Sequence, residues 1–198
     1  YKFMILSVHY RSISDFSEQG IERAVAGLAR VYSAMAQAER VLEQAGGVSE
    51  GKIAPALSQA MTGGREKIHL AMDDDFNTPE VFAEIFNVIR AYNATVRPGK
   101  PTADSVVNAR STLDWLKEHG RFMSLFQEKA TTFLVTLDDM LLRQKGLSRE
   151  VIDAKVAERW AARVAKDFAA SDRFRDELNA MGVSISDTSD GTRWEVTK

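Results

Sequence analysis

The sequence TPEVFAEIFNVIRAY, which runs from Thr78 to Tyr92, carries the clearest structural signal in the chain. Threonine caps helices, proline suits the first helical position, and a glutamate in the first turn complements the helix dipole. Apolar side chains then recur every three or four residues, at Phe82, Ile85, Phe86, Ile89 and Tyr92. The stretch predicts an amphipathic helix capped by Thr78, and the proline-rich segment from Arg97 to Pro101 ends it.

The same helical spacing extends to both sides. Before this stretch it predicts a long helix from about Ser17 to Ala45, and then a looser segment in which Pro55 and Gly63–Gly64 separate short apolar pieces. After it, two more helical faces precede Gly120 and Gly146; they consist of Val106, Ala109, Leu113 and Leu116, and of Phe133, Leu134, Leu137, Met140 and Leu141. Helices of this length with short joints predict an antiparallel, up-and-down bundle.

The last fifty residues form a different pattern. Ser148 and Asp167 are candidate caps of two helices, the first with a buried face of Ile152, Val156, Trp160 and Val164, the second with Phe174 and Leu178. After Gly182, apolar and polar residues alternate on both sides of Asp190-Gly191, a pair typical of a hairpin turn, which predicts two β-strands. The fold class is therefore mainly α: a bundle, then a small α+β unit made of a helix pair and a β-hairpin, with a boundary near Gly146.

Composition excludes several classes of function. The 198 residues contain 26 basic and 28 acidic side chains, three histidines and no cysteine, so disulfides, thiolate metal sites and cysteine nucleophiles are excluded. No apolar run approaches the roughly 20 residues of a membrane span. The net charge of −2 does not indicate nucleic-acid binding, because domains that bind nucleic acids are usually strongly basic. Any phosphate contacts would depend on the local arrangement of basic side chains.

Two local motifs favour structural interpretations. Residues 46–52 have the G-x-x-x-x-G-K spacing of a phosphate loop, but Ile53 stands where a serine or threonine belongs and a helix replaces the required strand, which favours a glycine-rich connector. Asp73, Asp74 and Asp75 lack the spacing of a calcium loop and suit a helix start, with a partner contact as the alternative.

The predicted joint between the last two helices is more suggestive. Arg163, Phe168 and Asp172 surround it, with Lys166 and Arg175 alongside. An arginine, an aromatic ring and a carboxylate are the groups that contact phosphates, stack on bases and accept from base amino groups in single-stranded RNA. Phe168 also continues the apolar stripe of the preceding helix, so the residues alone favour a core role for it, although the spacing does not decide between the two roles.

Three ordered stretches together resemble the cysteinyl-tRNA synthetase family. Leu6–Ser12 with Asp15–Ser17 is similar to the segment after its KMSKS loop, and Ala71–Glu80 is similar to the hallmark of its DALR helical bundle. A third group of residues resembles the anticodon-binding unit of the family, and it consists of Ala165–Asp172, Arg175–Leu178, Met181–Val183, Asp187 and Gly191–Trp194.

The resemblance implies specific roles for four residues. Arg163, Phe168, Asp172 and Asp187 match the family positions that read the GCA anticodon, although the family often has tryptophan where this chain has Phe168. Stacking then uses a smaller ring. Three further basic residues are expected to contact the tRNA backbone: Lys166, Arg175 and Arg11.

The resemblance also implies an organisation. Residues 1–16 correspond to the end of a stem-contact region, 17–146 to the DALR bundle and 147–198 to the anticodon-binding domain. The HIGH and KMSKS motifs and the zinc ligands are absent, so ATP, magnesium and zinc are expected in a missing N-terminal catalytic domain of the same polypeptide, with no catalytic residue, metal or cofactor in this chain. The expected partners are cysteine tRNA and that catalytic domain, in a monomeric, cytoplasmic protein. The alternative is a helical protein-interaction module that binds no RNA.

Overall fold

The computed structural model describes residues 1–14, 16–46, 50–97, 99–188 and 191–197, and two compact units make up the chain, Tyr1–Phe133 and Leu134–Lys198. In the described ranges the helices are α1 (Lys2–Leu6), α2 (Glu18–Gln44), α3 (Pro55–Asp73), α4 (Thr78–Thr95), α5 (Ala103–Arg121), α6 (Ala130–Gln144), α7 (Arg149–Val164) and α8 (Phe168–Ala180). Strands β1 (Val183–Thr188) and β2 (Gly191–Val196) follow. The predicted fold class is confirmed.

The prediction of a loose segment around Pro55 and Gly63–Gly64 is wrong, because α3 continues through both glycines. Gly64 is buried, and a Cβ atom built on it would lie 3.1 Å from Cζ2 of Trp115 on α5. The Trp115 ring is held in place, since its Nε1 donates to the Met61 carbonyl oxygen at 3.1 Å and the ring stacks on His119. Glycine is therefore present at position 64 because an aromatic ring approaches the helix closely, rather than because the helix ends there.

The start of α4 also differs in detail from the prediction. Asn77 is the N-cap residue, and the hydroxyl of Thr78 donates to the Leu6 carbonyl oxygen at 2.7 Å instead of capping the helix. Pro79 lies in the first turn as expected. Helix α2 begins close to its predicted start, and there the Ser17 hydroxyl caps it by accepting from the Gly20 amide at 3.2 Å.

The first unit is built around large apolar side chains with almost no exposure; among them are Val31, Met35, Leu57, Val81, Ile85, Ile89, Leu116 and Phe126. Tyr92 is also buried, and its burial raises the pKa of the phenol to about 12. His119 belongs to this core too. Burial lowers the pKa of His119, and its Nδ1 lies 2.8 Å from the Trp115 carbonyl oxygen.

The second unit has a core of its own, formed by Leu142, Ile152, Leu178, Val183 and Val196. The two strands are antiparallel, and the register pairs Val183 with Val196 and Asp187 with Thr192. Of the predicted hairpin turn, Asp190 lies outside the described residues.

The buried face of α7 was predicted only in part. Ile152 is buried, but Trp160 and Val164 are exposed, and the buried residue is Arg159 instead. Steps of four residues turn about 40° around a helix of 3.6 residues per turn, so Val164 lies about 120° from Ile152, whereas Arg159 lies within about 20°. The later residues of the predicted face, Trp160 and Val164, therefore point away from the core.

The compact units divide between Phe133 and Leu134 rather than near Gly146. The C-terminal half of α6 belongs to the second unit because Leu142 lies in its core and an Asp138 carboxylate oxygen accepts from the Val196 amide at 3.3 Å. The functional limits 17–146 and 147–198 stay predictions.

Candidate nucleic-acid interface

Helices α7 and α8 are joined by a tight reversal at residues 165–167. The Asp167 amide donates to the Ala162 carbonyl oxygen at 2.9 Å, and Lys166 adopts a left-handed conformation with φ of 61°. The Asp167 side chain then accepts from the Ala170 amide at 2.9 Å, which confirms it as the cap of α8. The C-terminal end of α7 is thereby held next to the N-terminal end of α8.

This joint exposes aromatic and apolar side chains. Phe168 is 66% exposed, Val164 is 69% exposed and Trp160 is 48% exposed. We call these three residues the joint patch. The core interpretation of Phe168 is therefore wrong: its ring faces solvent at the first position of α8, beside the exposed Lys166.

Asp187 on β1 lies within a dense set of donors. Arg159 donates to both of its oxygens, from Nη1 to Oδ1 at 2.9 Å and from Nη2 to Oδ2 at 3.0 Å. The Thr192 hydroxyl donates to Oδ1 at 2.8 Å, and Nη1 of Arg163 donates to Oδ2. The structure thus brings together Arg163 and Asp187, two of the four predicted anticodon residues.

These contacts keep Asp187 ionised. The hydrogen bonds from Arg159 hold the pKa of its carboxyl group well below the usual range, against a smaller opposing effect of burial. The same pairing raises the pKa of Arg159, which is itself almost fully buried. At neutral pH the cluster therefore holds one negative and two positive charges.

Asp172 is exposed on α8, one helical turn after Phe168, and therefore lies on the same face of the helix. Its carboxylate accepts from Nη2 of Arg175 at 3.2 Å, in an exposed pair within one helix. Its charge also contributes to the raised pKa of Arg159, so the negative charge of Asp172 acts on the Asp187 cluster.

Arg11 belongs to the first unit, whereas the other predicted site residues belong to the second. Its Nη1 is 3.0 Å from Oδ2 of Asp75, and the Tyr10 hydroxyl donates to Oδ1 of the same carboxylate at 2.6 Å. Asp75 has a left-handed backbone with φ of 58°. The acidic run before α4 therefore includes a residue that binds the N-terminal segment.

Arg159 is the site residue that the sequence reasoning missed. A signal for it was present, because Arg159 lies seven residues after Ile152 and Arg163 lies eleven after it, which places each arginine within about 20° of Ile152 on one helix face. An arginine on an apolar face, four residues before another arginine, indicated a buried carboxylate partner.

The glycine-rich motif at residues 46–52 has no phosphate-loop geometry in its described part; Gly47, Val48 and Ser49 lie outside the described residues. The Lys52 amide donates to Oδ1 of Asp104 at 2.7 Å, and Gly51 packs against the backbone of Ala103. In the ranges that the structure describes, histidines and carboxylates form no group of three or more arranged for a metal ion. No helix in those ranges has the length and apolar character to cross a membrane.

Comparison with known proteins gives consistent matches. Residues 67–127 match the DALR domain family. The chain is 46% identical over 199 residues to the cysteine–tRNA ligase of Bdellovibrio bacteriovorus, covering 100% of this chain and 40% of the relative. It is 34% identical to that of Geobacter sulfurreducens, covering 98% and 40%, and 37% identical to that of Halorhodospira halophila, covering 100% and 37%.

The chain spans about 40% of the length of these curated relatives. The similarity includes both compact units, since it covers the chain from end to end. Residues 67–127 therefore match the DALR domain family, and the whole chain is homologous to a portion of the cysteine–tRNA ligases.

Proposed function

We propose that this chain binds cysteine tRNA and reads its anticodon with the α7–α8 joint and Asp187. The observation that carries the proposal is the exposure of Phe168, which is 66% exposed although the second unit has a complete apolar core without it. A bare aromatic ring flanked by a cation and a carboxylate suits a base of single-stranded RNA.

Each side chain supplies a separate part of the recognition. Phe168 stacks on a base, which is tolerant of base identity because every base has a π face. The Arg163 guanidinium and the Asp172 carboxylate contact base edges, where an arginine donates to acceptors and an aspartate accepts from amino groups. Lys166, Arg175 and Arg11 contact phosphates, which positions the RNA but carries no sequence information.

The net charge of −2 is compatible with this function. Selectivity that comes from base edges needs a few placed side chains rather than a polycationic surface. The exposed basic groups at the joint, Arg163, Lys166 and Arg175, place positive charge where the RNA backbone would pass.

We assign the ATP-dependent joining of cysteine to tRNA to the part of the relatives that this chain does not span. The names of the relatives indicate that they are ligases, and the HIGH and KMSKS motifs and zinc ligands of the family are not found in this sequence. On this proposal ATP, magnesium and zinc bind to that catalytic part, which acts with this chain on the same tRNA in a monomeric enzyme of the cytoplasm.

The test is binding of fluorescently labelled cysteine tRNA to this chain, against the same tRNA with one anticodon base changed. We expect the unchanged tRNA to bind about 5- to 150-fold more tightly, since one base-specific contact contributes about 1–3 kcal/mol. Equal affinities would rule out anticodon reading. Absence of binding to both, even at low salt where phosphate contacts are strongest, would favour the protein-interaction module instead.

A further inference from the structure

The acceptor sites of Asp187 are all occupied in the free protein. A carboxylate offers about four lone-pair positions. Oδ1 accepts from Nη1 of Arg159 and from the Thr192 hydroxyl, and Oδ2 accepts from Nη2 of Arg159 and from Nη1 of Arg163. A base amino group therefore finds no free acceptor on Asp187 until one of these donors leaves.

The donors differ in how readily they can leave. The side chain of Arg159 is 7% exposed and uses two donors at once, so its departure would leave a buried cation without a partner. Thr192 faces Asp187 across the hairpin and is fixed by the strand register. Arg163 makes its contact from a side chain that is 40% exposed, at the end of α7 beside the joint patch. Exposed ion pairs contribute little in water, so Arg163 is the donor that can be exchanged.

We propose that Arg159 is a positioning residue that holds the Asp187 carboxylate at the RNA-binding surface, while Arg163 leaves Asp187 when a base binds. This inference rests on the proposed function. When Arg163 moves to a base edge or phosphate, Oδ2 gains a free lone pair for a base amino group. A base that presents an acceptor at this point repels the same lone pair, so the exchange selects bases that donate there.

The buried geometry of Arg159 supports a positioning role rather than a base contact. Arg159 is almost fully buried, and its Nε has no hydrogen-bond partner among the described residues. The guanidinium therefore depends on Asp187 for the carboxylate contacts of both terminal nitrogens. The planar guanidinium fixes both carboxylate oxygens, which an ammonium group cannot do. The orientation of Asp187 thus depends on arginine at position 159.

The test compares Arg159→Lys with the matched variant Arg173→Lys in the whole 198-residue chain. Arg173 is an exposed arginine on α8. The probes are an RNA hairpin with GCA in its loop and the same hairpin with one loop base changed. We expect Arg159→Lys to reduce the ratio of the two affinities about tenfold, as for loss of one oriented base contact, and Arg173→Lys to leave the ratio unchanged. An unchanged ratio for folded Arg159→Lys would overturn the inference.

A second measurement needs no variant to fold. In the unsubstituted chain, NMR of the arginine side-chain nitrogens and of the Asp187 carboxyl carbon follows the cluster as the GCA hairpin is added. We expect the Arg163 and Asp187 signals to move while the Arg159 signals stay in place. Movement of Arg159 together with an unchanged Arg163 would contradict the exchange.

The two levels of failure are distinguishable. Equal binding of both hairpins by the unsubstituted chain overturns the proposed function, and with it this inference. Discrimination by the unsubstituted chain that survives in Arg159→Lys overturns the positioning role alone.

Discussion

Replacing Phe168 with alanine should weaken RNA binding far more than it weakens folding. A fully covered aromatic side chain buries about 150–250 Å², so the third of Phe168 that is covered in this structure corresponds to about 50–80 Å². At about 25 cal/mol per Å² this area is worth about 1–2 kcal/mol, which is an upper bound because unfolded chains also bury surface. Alanine is the better helix former and recovers part of it. We expect the free energy of unfolding to fall by less than about 1 kcal/mol.

The loss of RNA binding should be larger, because the exposed part of the ring is what a stacked base would cover. Stacking on an aromatic side chain contributes about 1–3 kcal/mol per base, or an affinity about 5- to 150-fold lower for the Phe168→Ala variant. Fluorescence anisotropy with labelled cysteine tRNA measures the affinity, and urea unfolding followed by circular dichroism measures the stability.

Two further variants control for the chemistry of the ring. Val164→Ala removes an apolar side chain of similar exposure that has no π face, and should change the affinity less than threefold. Phe168→Trp enlarges the stacking surface and should bind at least as tightly as the unsubstituted chain. The stacking role is refuted if Phe168→Ala binds tRNA as tightly as the unsubstituted chain. A fall of more than 2 kcal/mol in unfolding free energy would show instead that the ring supports the fold.

The remaining predictions concern the two cores and the response to pH. Gly64→Ala should destabilise the first unit by about 1–2 kcal/mol, because its Cβ meets the fixed Trp115 ring at 3.1 Å. Gly63→Ala, whose Cβ has nothing within 4 Å, should stabilise the unit by about 0.5–1 kcal/mol. The two variants should therefore shift the melting temperature in opposite directions, and equal shifts would contradict the close contact at Gly64. Leu178→Ala should destabilise the second unit by about 2–5 kcal/mol in urea unfolding, and a loss below 1 kcal/mol would contradict its place in the core. The lowered pKa of Asp187 means that the folded chain binds its proton less readily than the unfolded chain, so its stabilising effect is complete above about pH 5 and is lost as the pH falls through and below about 4. Asp187→Asn should therefore lose less stability than the unsubstituted chain between pH 5 and pH 3, and identical losses would contradict the pairing.

Most of the helices could be predicted from periodicity and capping. The start of α2 at Ser17, the start of α8 at Asp167 and the β-hairpin all follow from local chemistry that a few consecutive residues contain. The continuous helix α3 could not be predicted this way, because two adjacent glycines weaken a helix by intrinsic propensity. The packing of Gly64 against Trp115, a residue on another helix, overrides that local preference.

The candidate site was predictable at the level of its location. Residue types alone drew attention to Arg163, Phe168 and Asp172 at the helix joint, and Asp187 followed from the family resemblance. The core role of Phe168 was inferred from an apolar stripe of four-residue steps along α7. Each such step turns about 40° around the helix, so the stripe leaves the buried face before it reaches Phe168. The ion pair of Arg159 and Asp187 joins a helix and a strand 28 positions apart in sequence, so no pattern of neighbouring residues could predict it.

The sequence by itself determined most of the element types, their order and the side chains available for RNA, because helix periods, caps and turn residues act over a few neighbouring positions. The tertiary structure alone decided which of those side chains are free. Packing turned Phe168 toward solvent, buried Arg159, and filled every acceptor of Asp187 with donors from α7 and β2. These outcomes depend on contacts between distant segments, and only the folded arrangement of α7, α8 and the hairpin specifies them.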